Sequence, residues 1–469
     1  HDLVAAFDFE HLQSDKTLAF SGSDTDPSDP FKLAGHRIYS TNATGTSLRI
    51  AREYATLDEQ GNPVAVNGAR VQASARNASL ALRERWAPSF APGLAIDAGL
   101  RWDLQDLGDD FGVRSLRLGD ELAPRVGLSY DWTRVGRSLL FVHYGRTYLS
   151  LPLAFGETVF SATPELSTGY TTSCPITLLN PGTDRLVPVP ASVAGAPCTF
   201  RNPSFTGSRT GAVADGLGGP YLDEAAAGYR HQLPFGIIVG ASYVYRAFGQ
   251  VLEDLAYDGV SSVVGNPGAS VTASDGRPLA PLPRGQRTTH ALVLTAQREL
   301  AGRFAFVASY SYARTYGNYD GWFSGHNGQL APGSTTAFDL GDLLANRSGP
   351  VATDRPHNLK LYGVYRQPLG KHGRLSLSAV FTAVSGRPIN VLGAHPAFGS
   401  REVFVLPAGA GGRTPTLTQL DLSLRYEHAL PKRVGVEVFV DLLNVLDQRA
   451  VTNVDDEYTA SSVAPILNG

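Results

Sequence analysis

Connections of two lengths, taken in strict turn, constrain what this chain can fold into more than any motif does. Thirteen segments show a two-residue hydrophobic period, at about 3–10, 78–86, 94–104, 123–133, 138–149, 222–232, 236–248, 286–298, 302–314, 357–366, 374–386, 416–428 and 434–444. In 94–104, Leu94, Ile96, Ala98, Leu100, Trp102 and Leu104 form one set, and Asp97, Arg101 and Asp103 fall in the other. Side chains alternate across a strand, so this period predicts strands whose two sides meet different surroundings. Six of the connections are short, at 87–93, 133–137, 232–236, 299–301, 367–373 and 429–433. The others are long, at 13–77, 105–122, 150–221, 249–285, 315–356 and 387–415, and the two kinds alternate without a break. A sustained helical period is rare; DLLNVLD at 441–447 is the best helical candidate, and it is brief.

A two-sheet sandwich in water has turns of similar length at both ends. A barrel that crosses an outer membrane places short periplasmic turns at one rim and long extracellular loops at the other. Strands of ~11 residues, tilted ~40°, rise roughly 25–30 Å, enough to cross the apolar band. The expectation is therefore an all-β fold, an antiparallel transmembrane β-barrel with hydrocarbon on the Leu/Ile/Trp side and a wet lumen on the Asp/Arg side. An open sheet edge in hydrocarbon would leave backbone N–H and C=O groups unpaired, so the sheet should close. Trp86, Trp102, Trp132, Tyr148, Tyr310, Tyr312 and Tyr426 lie near strand ends, where aromatic girdles belong. Bacterial single-chain barrels are generally even-numbered, so thirteen strands predict at least one closing strand not read. With the start inside a strand and no export signal or plug in view, residues 1–469 are expected to be one barrel segment of a longer protein.

Composition closes off other classes. A net charge of -3 offers no basic footprint, so no nucleic-acid partner is expected. The most apolar run, at 235–240, is far too short for a membrane helix. No HExxH, GxSxG or CxxC occurs, and the Gly-Lys of LGKHG at 369–373 lacks the flanking residues of a phosphate loop. His143, His231, His290, His357 and His428 sit in or beside strands and read as lumen or rim residues rather than ligands. No enzyme, metal or cofactor is expected. Cys174 and Cys198 lie in a Pro/Gly/Ser/Thr-rich stretch; a disulfide pinning a loop in an oxidising compartment is the expectation, two separate thiols the alternative.

Two sets of candidate site residues follow. Tyr316, Tyr319, Trp322, Phe323 and His326 cluster among glycines in a long loop, where exposed rings can stack on sugars, peptides or aromatic chelates. The same rings can instead fold inward as the loop's own core. Asp97, Arg101, Asp103, Arg125, Asp131, Arg303, Asp421 and Arg425 should face the lumen, either holding a plug by opposed charges or forming a hydrated wall. Acidic stretches at 21–30, 106–110 and 453–458 have the oxygen density of calcium loops without an ordered ligand spacing, and read as solvated turns.

Longer stretches carry a resemblance. LALRERWAPSFAPGLAIDAGLRWDLQ (80–105), ELAPRVGLSYDWTRVGRSLLFVHYGRTY (121–148) and LTQLDLSLRYEHALPKRVGVEVFVDLLNVLDQR (417–449) resemble hairpins of TonB-dependent outer-membrane receptors. RTYGNYDGWFSGHNGQLAP (314–332) and FDLGDLLANRSGPVATDRPHNLKLYGVYRQPLG (338–370) are similar to the Oar-like members, which carry a carboxypeptidase-regulatory-like domain ahead of the plug. The resemblance implies a 22-stranded barrel in the bacterial outer membrane. It also implies coupling to the TonB complex through a plug segment, and handling of a large extracellular substrate such as a peptide, protein, glycan or chelate. The alternatives are a surface-adhesion or matrix-contact protein that uses its long loops, and, less so, an open porin.

Overall fold

The computed structural model describes residues 1–18, 40–41, 47–57, 63–66, 69–108, 114–159, 165–171, 176–179, 187–190, 204–206, 212–214, 216–255, 263–270, 281–322, 336–431 and 434–467. Thirteen long antiparallel strands form one sheet in chain order: β1 (Asp2–Leu18), β2 (Ala69–Trp86), β3 (Leu94–Gly108), β4 (Arg114–Tyr130), β5 (Ser138–Tyr148), β6 (Tyr221–Gln232), β7 (Ile237–Gly249), β8 (Arg287–Ala301), β9 (Phe304–Gly317), β10 (His357–Leu369), β11 (Gly373–Val384), β12 (Leu417–Leu430) and β13 (Val434–Leu442). Each expected segment is one of these strands. Every strand pairs with its sequence neighbours, as an up-and-down meander requires. The path ends at β1 and β13, and no pairing joins those two among the described residues. Among the described residues no helix is long and apolar enough to cross a membrane.

The register shows how the wall is built. Follow residues directly opposite one another from β3 to β12: Leu94, Tyr130, Leu140, Tyr229, Ala241, Leu294, Tyr310, Leu359, Ala383, Thr418. Leu94 is the first residue of its strand at the short-turn rim, whereas Thr418 is the second of its strand at the opposite rim. The strands are thus staggered progressively in one direction, the shear that tilts strands in a barrel wall. Pairing also holds each face constant across the sheet. Leu82, Leu100, Leu128, Val142, Leu294, Leu361, Leu377, Leu424 and Val438 share one side, and all are exposed. That side presents the row of apolar residues a hydrocarbon surrounding demands.

Two expectations about local structure are corrected. The long connection at 105–122 is largely strand: Gln105 faces Leu118 and Leu107 faces Leu116, after a register shift between Asp103 and Gln105. Leu107, Leu116 and Leu118 are buried, so the hairpin continues above the wall because it has a core of its own to enter. Residues 441–447 are not helical. Leu442 still pairs with Leu422, Asn444 and Asp447 take positive φ, and the Asn444 amide donates to the Asp421 carboxylate at 2.7 Å. The α-helix that does form, Leu153–Val159, sits in the long connection after β5 and buries Phe155.

Candidate functional site

The polar face of β2–β7 gathers the charged residues. Asp97 lies opposite Arg85 and Gly127, Arg101 opposite Ala81 and Ala123, Asp103 opposite Ser79 and Glu121, and Arg125 between Gly99 and Gly145. Neighbours on one face, across strands or two apart on the same strand, are close enough to pair. The Arg83 Nη2 donates to Asp97 Oδ1 at 2.6 Å, and Arg101 Nε donates to Asp103 Oδ1 at 2.8 Å. Further along, Arg246 Nε donates to Glu224 Oε2 at 2.5 Å, and His143 Nε2 lies 3.1 Å from the other oxygen of Glu224. Gly99, Gly127 and Gly145 carry no side chain at the middle of this patch, which leaves a cavity of about 630 Å³. Arg83, Asp97, Arg101, Arg125, His143 and Glu224 line it. Arg125 reaches nothing closer among the described residues than the Thr147 hydroxyl, at 3.5 Å. The patch is therefore a charged concavity in which most ions already have partners, with one guanidinium held open.

The other charged candidates lie elsewhere. Asp421 and Arg425 are on β12, far along the path; Arg425 Nη1 is 2.9 Å from Glu437 on β13, and Asp421 also accepts from Gln419 Nε2 at 2.9 Å. Asp131 organises the turn between β4 and β5. It accepts from the Thr133 hydroxyl and from the Gly136 amide, both near 2.5–2.6 Å, and from Ser138 Oγ at 2.7 Å. These bonds, that of the Thr133 hydroxyl first, hold its carboxyl well below the usual range. Arg303 is in the turn between β8 and β9, donating to Gln367 Oε1 at 3.0 Å. Sequence reading passed over Arg83, Glu224 and Arg246. The signal was present in the strand period, which places each of them opposite a residue on the same side as Asp97.

Above the long-loop rim the connections pack on one another. Leu107, Leu118, Leu151, Phe155 and Leu252 form one buried cluster, with Trp322 against it and edge-on to Phe155 at 6.5 Å. Tyr319 is buried with Val251, Leu255, Leu282 and Phe338 in a second. Burial raises the Tyr319 hydroxyl well above its ordinary value. Of the loop aromatics, then, Tyr319 and Trp322 build the loop core, Tyr316 stays exposed at the top of β9, and Phe323 and His326 lie outside the described residues. Cys174 and Cys198 lie outside them as well. Asp339 is buried here with no partner for its Oδ1 among the described residues, and burial, followed by the charges of Asp254 and Glu402, pushes its carboxyl up to about 7. Among the described residues no group of His, Cys, Asp or Glu is arranged to hold a metal ion.

The stretch after β13 joins this crown. Arg387 Nη2 lies 3.0 Å from Asp456 Oδ1, both side chains nearly buried, and Arg387 also donates to the Val454 carbonyl at 2.9 Å. That anchor lets Glu457–Ser462 pair in parallel with Leu392–His395, beside Gly399–Phe404.

Comparisons with known proteins bear on the whole chain. Residues 118–416 match the family described as outer membrane beta barrel domain. Over 483 aligned residues the chain is 29% identical to the TonB-dependent transporter Oar of Myxococcus xanthus, covering 100% of this chain and 44% of that protein. The chain thus spans less than half the length of this curated relative. Similar solved structures include the outer membrane transporter YddB of Escherichia coli, at 14% identity over 89% of this chain and 57% of that one, TM-score 0.43. Another is BauA, the ferric preacinetobactin receptor of Acinetobacter baumannii, at 12% identity over 95% of this chain and 51% of that one, TM-score 0.46.

Proposed function

The chain belongs to the outer membrane β-barrel domain family and resides in the bacterial outer membrane, and from that premise we propose that it is the wall and loop crown of a TonB-energised receptor for a large extracellular substrate. The similarity to Oar along the entire chain carries the reading. On it, the polar face of the wall is the lumen, and the short-turn rim is periplasmic. The concavity lined by Arg83, Asp97, Arg101, Arg125, His143 and Glu224 is where a plug rests. Charge pairs already made within the wall suit a partner that must be released during each cycle, because few wall ions are left stranded when it goes. The loop crown meets the substrate. Its packed cores hold Tyr316 and the neighbouring loop segments in place, and recognition surfaces commonly take this form on a rigid scaffold.

Whole cells given a protein digest provide the test. Peptides that persist in the medium after deletion of this receptor should be the same ones that persist after deletion of TonB, as followed by mass spectrometry. Peptide depletion that is unchanged without TonB removes the proposal. A second reading, adhesion through the crown, is favoured by the docking of Glu457–Ser462 beside Leu392–His395, which enlarges the surface of the crown. It predicts lost surface attachment in the receptor deletion and normal attachment in the TonB deletion.

A further inference from the structure

The apolar face carries a repeated side-chain device that neither barrel closure nor transport explains. On β7, Tyr243 and Tyr245 are consecutive residues of the outer face; on β8, His290 lies directly opposite Tyr245. The Tyr243 hydroxyl is 2.6 Å from His290 Nδ1, and the Tyr245 ring is 5.1 Å from the imidazole. The same arrangement recurs two strands on. His357 on β10 is directly opposite Tyr312 on β9, 5.2 Å from its ring, with the Tyr310 hydroxyl 2.8 Å from Nδ1. Near the short-turn rim a second form occurs twice, within single strands. Tyr229 and His231 on β6 are 2.9 Å apart, hydroxyl to Nδ1, and Tyr426 and His428 on β12 are 3.0 Å apart. Trp132 stacks on Tyr229 at 4.7 Å.

All four histidines share the face of Leu294, Leu361 and Leu424. Through the pairing, His231 lies six residues below the level of His290 and His428 eleven below the level of Asn358, roughly 15–28 Å of height at ~3.3 Å per residue and ~40° tilt. That range brackets the thickness of the apolar band and puts the imidazoles near its two boundaries with the headgroups.

We propose that these four tyrosine-tethered histidines are contacts for the phosphate of membrane lipid headgroups, two at each boundary of the wall. Aromatic rings alone would serve as a girdle; the imidazole adds a directed donor. A phenol hydroxyl that donates to Nδ1 leaves the neutral ring's proton on Nε2. His290 and His357 are exposed, so this N–H is presented at headgroup depth, where phosphate oxygens are the strong acceptors. The occupant is a membrane lipid because Leu292, Leu294, Tyr312 and Leu361 on the same face are exposed; toward the long-loop rim that face also carries Arg314, directly opposite His290. Two rings of the preceding strand lie beside each of His290 and His357, and the opposite side of each imidazole is left for a group entering from the bilayer.

The test uses the full-length protein in dodecyl maltoside, titrated with phosphatidylglycerol or with diacylglycerol of the same chains, bound lipid being counted by native mass spectrometry. Phosphatidylglycerol should bind about tenfold more tightly than diacylglycerol, and H290F/H357F, which keeps ring against ring, should lose that preference. Y243F/Y310F keeps both imidazoles but frees Nδ1, and should lose part of it; this pair decides the matter if the histidine variant does not fold. Undiminished preference for the phospholipid in both double variants overturns the proposal. Competition by inorganic phosphate at lipid-like concentration overturns the assignment to lipid.

Discussion

Asp339 and Asp131 show how differently one residue type behaves in the loops of this wall. Asp339 is buried beside the charges of Asp254 and Glu402, and its folded carboxyl holds a proton up to about pH 7. The unfolded chain releases that proton in the ordinary carboxylate range, so crown stability falls as pH rises from about 4 to about 7 and is level above it. D339N should remove this slope and stabilise the crown at pH 8 by roughly 1–3 kcal/mol, measured by hydrogen exchange of residues 336–347 at pH 5.5 and pH 8. Asp131 is the opposite case. Its carboxyl is held low by Thr133, Ser138 and Gly136, so its contribution is present above the unfolded value and disappears as pH falls through the folded one. D131N should flatten the acid-side loss of protection at the Gly136 and Ser138 amides, followed from about pH 5 down to pH 2. Neither role was legible in the residues. The strand period put Asp131 among lumen candidates, because a period cannot register that the next turn folds donors from three residues, Thr133, Gly136 and Ser138, back onto it. By contrast Asp97, Arg101, Asp103 and Arg125 were placed together by parity alone, since a strand offers only two faces.

At the scale of the element, the two faces of one hairpin should tolerate charge differently. Leu294 on β8 is exposed on the apolar side at mid-strand, whereas Ser309 on β9 lies on the polar side. L294R should destabilise the wall by about 2–4 kcal/mol, whereas S309R should change stability by less than about 1 kcal/mol. Urea unfolding of protein reconstituted in lipid measures both. The Glu457–Ser462 strand is a different kind of element, held by the buried Arg387–Asp456 pair. D456A leaves the guanidinium buried without its partner, a cost of about 3–5 kcal/mol. The strand should come away from Leu392–His395 while β12 and β13 keep their protection, as read by hydrogen exchange. All thirteen wall strands were visible in sequence because hydrocarbon enforces an unbroken two-residue period. The Leu153–Val159 helix and the upward extension of β3 and β4 were not, because Leu107, Leu116 and Phe155 bury themselves against residues remote in sequence.

Across the whole molecule, the stagger that carries one row of pairs from Leu94 at one rim to Thr418 at the other ties strand tilt to register. The alternation of apolar and polar residues, and of short and long connections, was enough to specify an antiparallel wall with two solvents and two unlike rims. Those are one-dimensional facts, since a two-residue period and a connection length survive without knowledge of any contact. Only the tertiary structure decided which charges meet. Arg83 finds Asp97, Arg246 finds Glu224, and His290 and His357 find tyrosines, because register fixes which residues of neighbouring strands stand opposite. The fate of the loop aromatics was likewise settled in three dimensions. Tyr319 turns inward because Val251 and Phe338, each remote in sequence, arrive at the same place, and burial there excludes more apolar surface from water than exposure would.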